Sequence, residues 1–410
     1  MKPAPSTSQK LNRPNLQKYP RFDPKSSLSS SAKSEIKKSK KLIRSELSSS
    51  DWNKANYFAS NICEELFDNC VDTIDRVKYK DFTISEFLLK YQQGNKPLII
   101  QNVAEQWNAN SFWNWDNFYK AFKKVKFKIG EDDDENTVRV KLKYFFEYMK
   151  KNRDDSPLYL FEKDIGDKKE YKPILKNYSV PKYFKDDLFN LLGQTERPPY
   201  QWFLIGPKRS GTTIHLDPLN TSAWNTSLHG YKLWILFPND VPKWIANGRQ
   251  FRGPNEDNEA SDYFAKILPR LKASEGKENL RYIECVQRPG ETIFVPGGWW
   301  HAVLNLSDTM AVTQNFCSHF NFDAVWKSFR ISRKVLSNKF LGILKKRRNY
   351  LYDRAVDLNT KDKFKMKGKK GKPSEKDQEP SSSNTTTTLF SSSASTSSSS
   401  DSSSSSTSKN

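Results

Sequence analysis

Cysteine is scarce: the 410-residue chain holds four, Cys63, Cys70, Cys285 and Cys317, too few and too widely spaced for a disulfide framework. No Cys-x-x-Cys pair occurs, so the usual sign of a structural zinc site is missing. A reducing, intracellular compartment fits this usage. Long apolar runs are missing as well. The longest, such as Leu233–Phe237, fall far short of the roughly 20 residues that span a bilayer. The N-terminus, MKPAPSTSQK, has no apolar stretch of the secretory kind. Both absences argue against secretion and membrane insertion. The acidic run EDDDEN at 131–136 lacks the alternating ligands and central glycine of a calcium loop, and reads as a solvated turn.

What is abundant is positive charge, +21 net, and it is unevenly spread. Residues 1–50 hold twelve basic and three acidic side chains, and residues 341–410 hold fourteen and seven. The long middle, 51–340, keeps only +5. Most of the excess therefore lies in segments that read as unstructured, where it attracts polyanions such as RNA or serves as an address. Residues 1–50, rich in Ser, Lys and Pro, are expected to be a disordered basic arm. KSEIKKSKKLIR at 33–44 is a Lys cluster of the nuclear-import kind, which predicts a nuclear protein.

From Asp51 the texture changes. SEFLLKYQQ has helical spacing, PLIIQNV is strand-like, and the pair KFKIG and TVRVKLKYFFEYM flanks the acidic turn. Residues 51–168 are expected to form an α/β region packed on a core that occupies 169–333. Beyond Pro199 that core reads as short strands between turns: QWFLIG, TIHLD, YKLWILFP, TIFVPGG, HAVLNL and TMAVTQNF. Closely spaced strands of this kind predict a sandwich or barrel. Helical spacing returns at 334–358, a segment suited to pairing with a second copy of the chain, and 359–410 is a low-complexity Lys-rich and Ser-rich tail.

Chemistry concentrates on the strands. His215 and Asp217 stand two apart in TIHLD, so they project from one face and converge on one ion. Alone, such a pair is more often a core histidine beside a turn aspartate. His301, which opens HAVLNL after the Gly297-Gly298 turn, offers a third ligand. Two imidazoles and a carboxylate make the facial triad that suits non-haem Fe(II), with three positions left open. A zinc hydrolase with the same ligands would need a separate general base. Lys232 separates the two readings. It lies on YKLWILF, on the same face as Trp234 and Leu236, where an unpaired ammonium costs several kcal/mol unless it meets an anion or reaches water. Thr313 and Asn225 are further polar groups in apolar surroundings. With Lys232 they suit a small dicarboxylate beside the metal, as in a 2-oxoglutarate oxygenase. Trp299-Trp300, next to His301, reads either as a substrate wall or as core packing.

The stretches WFLIGPKRSGTTIHLDPLNTSAWN, HGYKLWILFP and RPGETIFVPGGWWHAVLNLSDTMAVTQNF closely resemble the Jumonji-C oxygenases, in particular the bifunctional arginine demethylase and lysyl-hydroxylase branch once described as phosphatidylserine receptors. The resemblance extends upstream through RDDSPLYLF to about Asp51. It implies a double-stranded β-helix of the cupin and jelly-roll kind with surrounding helices. It makes His215, Asp217 and His301 the iron ligands and Asn225, Lys232 and Thr313 the 2-oxoglutarate contacts. Tyr159 matches a pocket tyrosine, and Thr212 a substrate contact. The implied reaction consumes O2 and 2-oxoglutarate, hydroxylating lysine in nuclear proteins such as histones and splicing-related proteins. Applied to an N-methyl group of a histone arginine, the same step gives a hemiaminal that loses formaldehyde. A chromatin and transcription role follows from those substrates. The competing reading is a nuclear RNA- or chromatin-binding scaffold with a vestigial oxygenase core, which the basic tails favour and the complete triad with Lys232 opposes.

Overall fold

A computed structural model describes residues 28–366 apart from 109–111, 164, 167, 255 and 275–279. Its strands, in chain order, are β1 (Arg76–Lys78), β2 (Leu98–Gln101), β3 (Lys126–Glu131), β4 (Thr137–Lys141), β5 (Leu160–Glu162), β6 (Gln201–Gly206) and β7 (Gly211–His215). There follow β8 (Ser222–His229), β9 (Lys232–Phe237), β10 (Ile283–Gln287), β11 (Thr292–Val295), β12 (Trp300–Asn305) and β13 (Thr309–Phe316).

From β6 onward the chain winds between two sheets. One has the order β1-β2-β11-β8-β13-β6-β5, the other β10-β9-β12-β7. This is the double-stranded β-helix. Burial explains the composition of its strands: KLWILF and TIFV are buried at every position, so they read as continuous apolar runs rather than alternating ones. One face of each packs outward under helices, and the other lines the space between the sheets. The region before residue 169 adds to the barrel directly, since β1, β2 and β5 complete the larger sheet. β3 and β4 form a separate hairpin. In its acidic turn Asp132 accepts backbone N–H groups from Asp134 and Asn136. Among the described residues, no helix is long and apolar enough to cross a membrane.

The N-terminal expectation needs correction. Residues 1–27 lie outside the described residues, but Ser30–Ile43 is a helix, capped by Ser29, rather than a disordered arm. Ala32, Ile36 and Ser39 are buried, a stripe at helical spacing that docks on helix Leu142–Lys151 and the β3–β4 hairpin. Ile43 lies so close to Gly130 that a Cβ there would stand 2.6 Å from it. Lys40 pairs with Asp154 at 2.5 Å and lies over the Trp52 ring. The Lys cluster at 33–44 is thus partly built into the fold. At the other end, helices Phe322–Ser332, Lys334–Arg347 and Asn349–Lys361 follow the barrel, so helix continues slightly past residue 358. Most of the tail, 367–410, lies outside the described residues.

Candidate active site

Between the sheets lies a pocket whose walls come from both. The smaller sheet supplies Thr212, His215, Lys232, Trp234, His301 and Val303, and the larger supplies Trp202, Leu204, Ala223, Asn225, Thr313 and Asn315. Tyr159 and Phe161 close one side.

His215 on β7 is the direct cross-strand partner of His301 on β12, and their ring centroids are 4.2 Å apart. Asp217 follows at the turn where Pro218–Asn220 begins, with Leu219 and Asn220 both at positive φ. Helix Phe322–Ser332 packs on that turn. One ligand atom from each of His215, Asp217 and His301 falls within 4.8 Å of the others. A β-bulge widens the set: β7 spans His215 to Thr212 where β12 spans only His301 to Val303. Residues three apart normally face opposite ways in a strand. The extra residue brings both Thr212 and His215 into the pocket.

The electrostatics prepare these groups for a cation. Each imidazole uses Nδ1 on a main-chain carbonyl, His215 on Thr213 at 2.7 Å and His301 on Trp299 at 3.0 Å. That fixes both rings and leaves each Nε2 as the free nitrogen. Burial pushes both down to about 4, reinforced at His215 by the neighbouring His301, so both are neutral at physiological pH. Burial raises the Asp217 carboxyl, opposed by His215, a cost that a bound metal ion would remove. Asp217 Oδ2, Asn225 Oδ1 and Thr212 Oγ1 are buried without a hydrogen-bond partner. Orphaned acceptors in one cleft are the mark of a missing ligand.

Deeper in the pocket stands Lys232, 1 % exposed. Its Nζ lies 2.9 Å from Asn305 Oδ1 and 3.2 Å from the Tyr159 hydroxyl, and no carboxylate pairs with it among the described residues. Burial lowers it to about 7. A cation held only by neutral acceptors suits an anionic ligand end. Thr313 lines the pocket, and its Oγ1 donates to the Trp224 carbonyl.

Of the ten residues singled out from the sequence, eight line one pocket: His215, Asp217, His301, Asn225, Lys232, Thr313, Tyr159 and Thr212. Trp299 and Trp300 do not. Trp299 sits in the core with its Nε1 on the Asn95 carbonyl, and Trp300 packs on the barrel's outer apolar cluster. Sequence reading missed Asn305, Asn315, Trp202 and Phe161. Asn305 carried a signal, a polar side chain two strand repeats after His301.

Comparisons with known proteins give the chain its family. A family profile described as "JmjC domain, hydroxylase" matches residues 202–316. The bifunctional arginine demethylase and lysyl-hydroxylase psr-1 of Caenorhabditis briggsae is 39% identical over 302 residues, covering 74% of this chain and 75% of the relative. The chain belongs to the JmjC hydroxylase family. The arginine-specific demethylase JMJ22 of Arabidopsis thaliana is 37% identical over 255 residues, 61% of this chain and 47% of that one. The 2-oxoglutarate and iron-dependent oxygenase JMJD4 of Danio rerio is 28% identical over 269 residues, 60% and 61% of the two chains. Like its family, this JmjC protein is an oxygenase that depends on iron and 2-oxoglutarate. The donor set fits that metal: two neutral imidazoles and one carboxylate, with ligand atoms within 4.8 Å of one another.

Proposed function

We propose that this JmjC oxygenase hydroxylates lysine side chains of nuclear proteins, histones and splicing-related proteins among them, and removes N-methyl groups from histone arginines by the same hydroxylation. The observation that carries the reading is a single pocket with a three-ligand metal end and an uncompensated ammonium deeper in. The name of the Caenorhabditis relatives, covering both activities, supports the choice of substrates.

In this reading His215, Asp217 and His301 hold iron, which when bound supplies oxygen activation coupled to decarboxylation of 2-oxoglutarate. The two imidazoles enter neutral and need lose no proton on binding. Lys232 binds the far carboxylate of 2-oxoglutarate, with Tyr159 and Thr313 beside it and Asn225 nearer the metal. Trp202, Leu204, Ala223, Val295 and Phe161 exclude water from the reacting carbon. Thr212, its hydroxyl without a partner, orients the incoming side chain. Overall, 2-oxoglutarate, O2 and a C–H bond become succinate, CO2 and C–OH. A hydroxylated N-methyl group then loses formaldehyde.

The same reading locates the enzyme in the nucleus. Its address and its weak hold on polyanions such as RNA then lie in 33–44, where Lys33, Lys37, Lys38 and Lys41 stay exposed although Lys40 is tied to Asp154, and in 345–348 and 361–372. Exposed Ile331, Val335 and Tyr350 on the C-terminal helices support self-association. The decisive experiment is mass spectrometry of Lys and methyl-Arg peptides after incubation with enzyme, Fe(II) and 2-oxoglutarate. A gain of one oxygen on lysine supports hydroxylation, and loss of methyl from arginine supports demethylation. Neither change on any histone or splicing-factor peptide would refute the substrate class.

A further inference from the structure

We infer that Asn305 is a positioning residue for the co-substrate: it holds the Lys232 ammonium without neutralising it, so the cation keeps its attraction for a carboxylate. The inference rests on Lys232 meeting the far carboxylate of 2-oxoglutarate.

Asn305 on β12 is the cross-strand partner of Lys232 on β9, and it is fully buried. Its side chain is fixed at both ends. Oδ1 accepts from Lys232 Nζ at 2.9 Å, and Nδ2 donates to Ser210 Oγ at 2.9 Å. Ser210 spends its own proton on the Pro207 carbonyl at 2.6 Å, so its oxygen is left as an acceptor. This chain sets the sense of the amide. A flipped amide would set NH2 against the ammonium and a carbonyl against a hydroxyl with no proton to give. The main chain is pinned as well: Asn305 N–H donates to the Ser210 carbonyl, and its own carbonyl accepts from Arg209 N–H, both at 2.8 Å. Arg209 takes a positive φ to make that turn. Gly206 leaves the necessary room, since a Cβ there would stand 2.1 Å from Asn305 Nδ2 and 2.8 Å from the Tyr159 ring.

The choice of amide over acid follows from charge. Of the three ammonium protons, Asn305 and Tyr159 take two, leaving one for a ligand. An aspartate of the same shape would pair with Lys232 and present a neutral couple to the incoming dianion. Alanine would deprive both Lys232 and Ser210 of a partner. Asparagine supports the cation and leaves its charge uncompensated.

The test uses the full chain loaded with Mn(II), measuring 2-oxoglutarate affinity and Mn(II) affinity by calorimetry, and KM and kcat with Fe(II). Asn305→Asp is expected to weaken 2-oxoglutarate binding about 100-fold. It should leave Mn(II) affinity, and kcat at saturating 2-oxoglutarate, within about threefold. Ser210→Ala, which frees the amide to turn, is expected to weaken the same binding about fivefold. A folded Asn305→Asp protein that binds 2-oxoglutarate within threefold of the parent would overturn the inference. If that variant does not fold, Ser210→Ala decides, and unchanged affinity there overturns it. Lys232→Ala separates the premise from the inference. Normal affinity in that variant sinks the role of Lys232, whereas loss there with retention in Asn305→Asp sinks only the role of Asn305.

Discussion

Raising the pH should weaken 2-oxoglutarate binding, and the size of the effect follows from Lys232. Burial brings its ammonium from the usual lysine range down to about 7 in the free protein. The far carboxylate needs the charged form, so apparent affinity scales with the protonated fraction. That fraction is about 0.9 at pH 6 and about 0.03 at pH 8.5, which predicts a roughly thirtyfold loss of affinity between them. The ligand imidazoles, at about 4, stay neutral throughout and add nothing. The sign for folding is opposite. With the folded value below the unfolded one, the unfolded chain binds more protons between about 7 and 10.5. Stability of the ligand-free protein therefore rises with pH across that window, and the penalty is complete below about 7. Calorimetry on the Mn(II)-loaded protein, in two buffers of different ionisation enthalpy, gives both affinity and proton uptake. Nearly one proton should be taken up per 2-oxoglutarate at pH 8.5. Affinity flat within twofold from pH 6 to 8.5, without proton uptake, would show that Lys232 in the free protein keeps its charge across that whole range.

Other substitutions test other parts of the account. Lys232→Ala should cost about 3–5 kcal/mol of 2-oxoglutarate affinity, roughly 150-fold to several thousandfold, and Lys232→Arg should restore little of it because the guanidinium has a different shape; the KM for 2-oxoglutarate reports both. Asp217→Ala should abolish turnover and metal binding while circular dichroism stays unchanged, because the carboxylate serves the ion rather than the core; retained metal with normal turnover would move the site elsewhere. Ile36→Ala should destabilise the protein by about 2–4 kcal/mol, seen as a lower melting temperature. An unaltered melt would mean that helix Ser30–Ile43 does not stay docked.

The candidate pocket was legible because strand alternation is a strict code. Lys232 and Trp234 share a face by spacing alone, and a polar residue on an apolar face stands out, whereas His215 ends β7 and Asp217 joins it from the turn that follows. What alternation does not carry is register. Thr212 reaches the pocket beside His215 only through the β7 bulge, and Asn305 meets Lys232 only because β12 pairs with β9 at that offset. Neither fact is local in sequence. The N-terminal helix was missed for a compositional reason. Its buried stripe, Ala32, Ile36 and Ser39, is narrow and holds one large apolar side chain, while Ser and Lys dominate the rest. Its stability comes from tertiary contacts such as Lys40–Asp154 and Arg44–Glu259, which no propensity reveals. The partners of those lysines and arginines lie more than a hundred residues away.

The most direct test of the central claim is to follow the oxygen atoms. Enzyme, Fe(II) and 2-oxoglutarate are incubated with a lysine-containing substrate peptide under 18O2, and hydroxylysine and succinate are analysed by mass spectrometry. The account predicts one labelled oxygen in each product, in equal amounts, and neither product with His215→Ala. Unlabelled hydroxylysine, or the same yield from the His215→Ala protein, would contradict it.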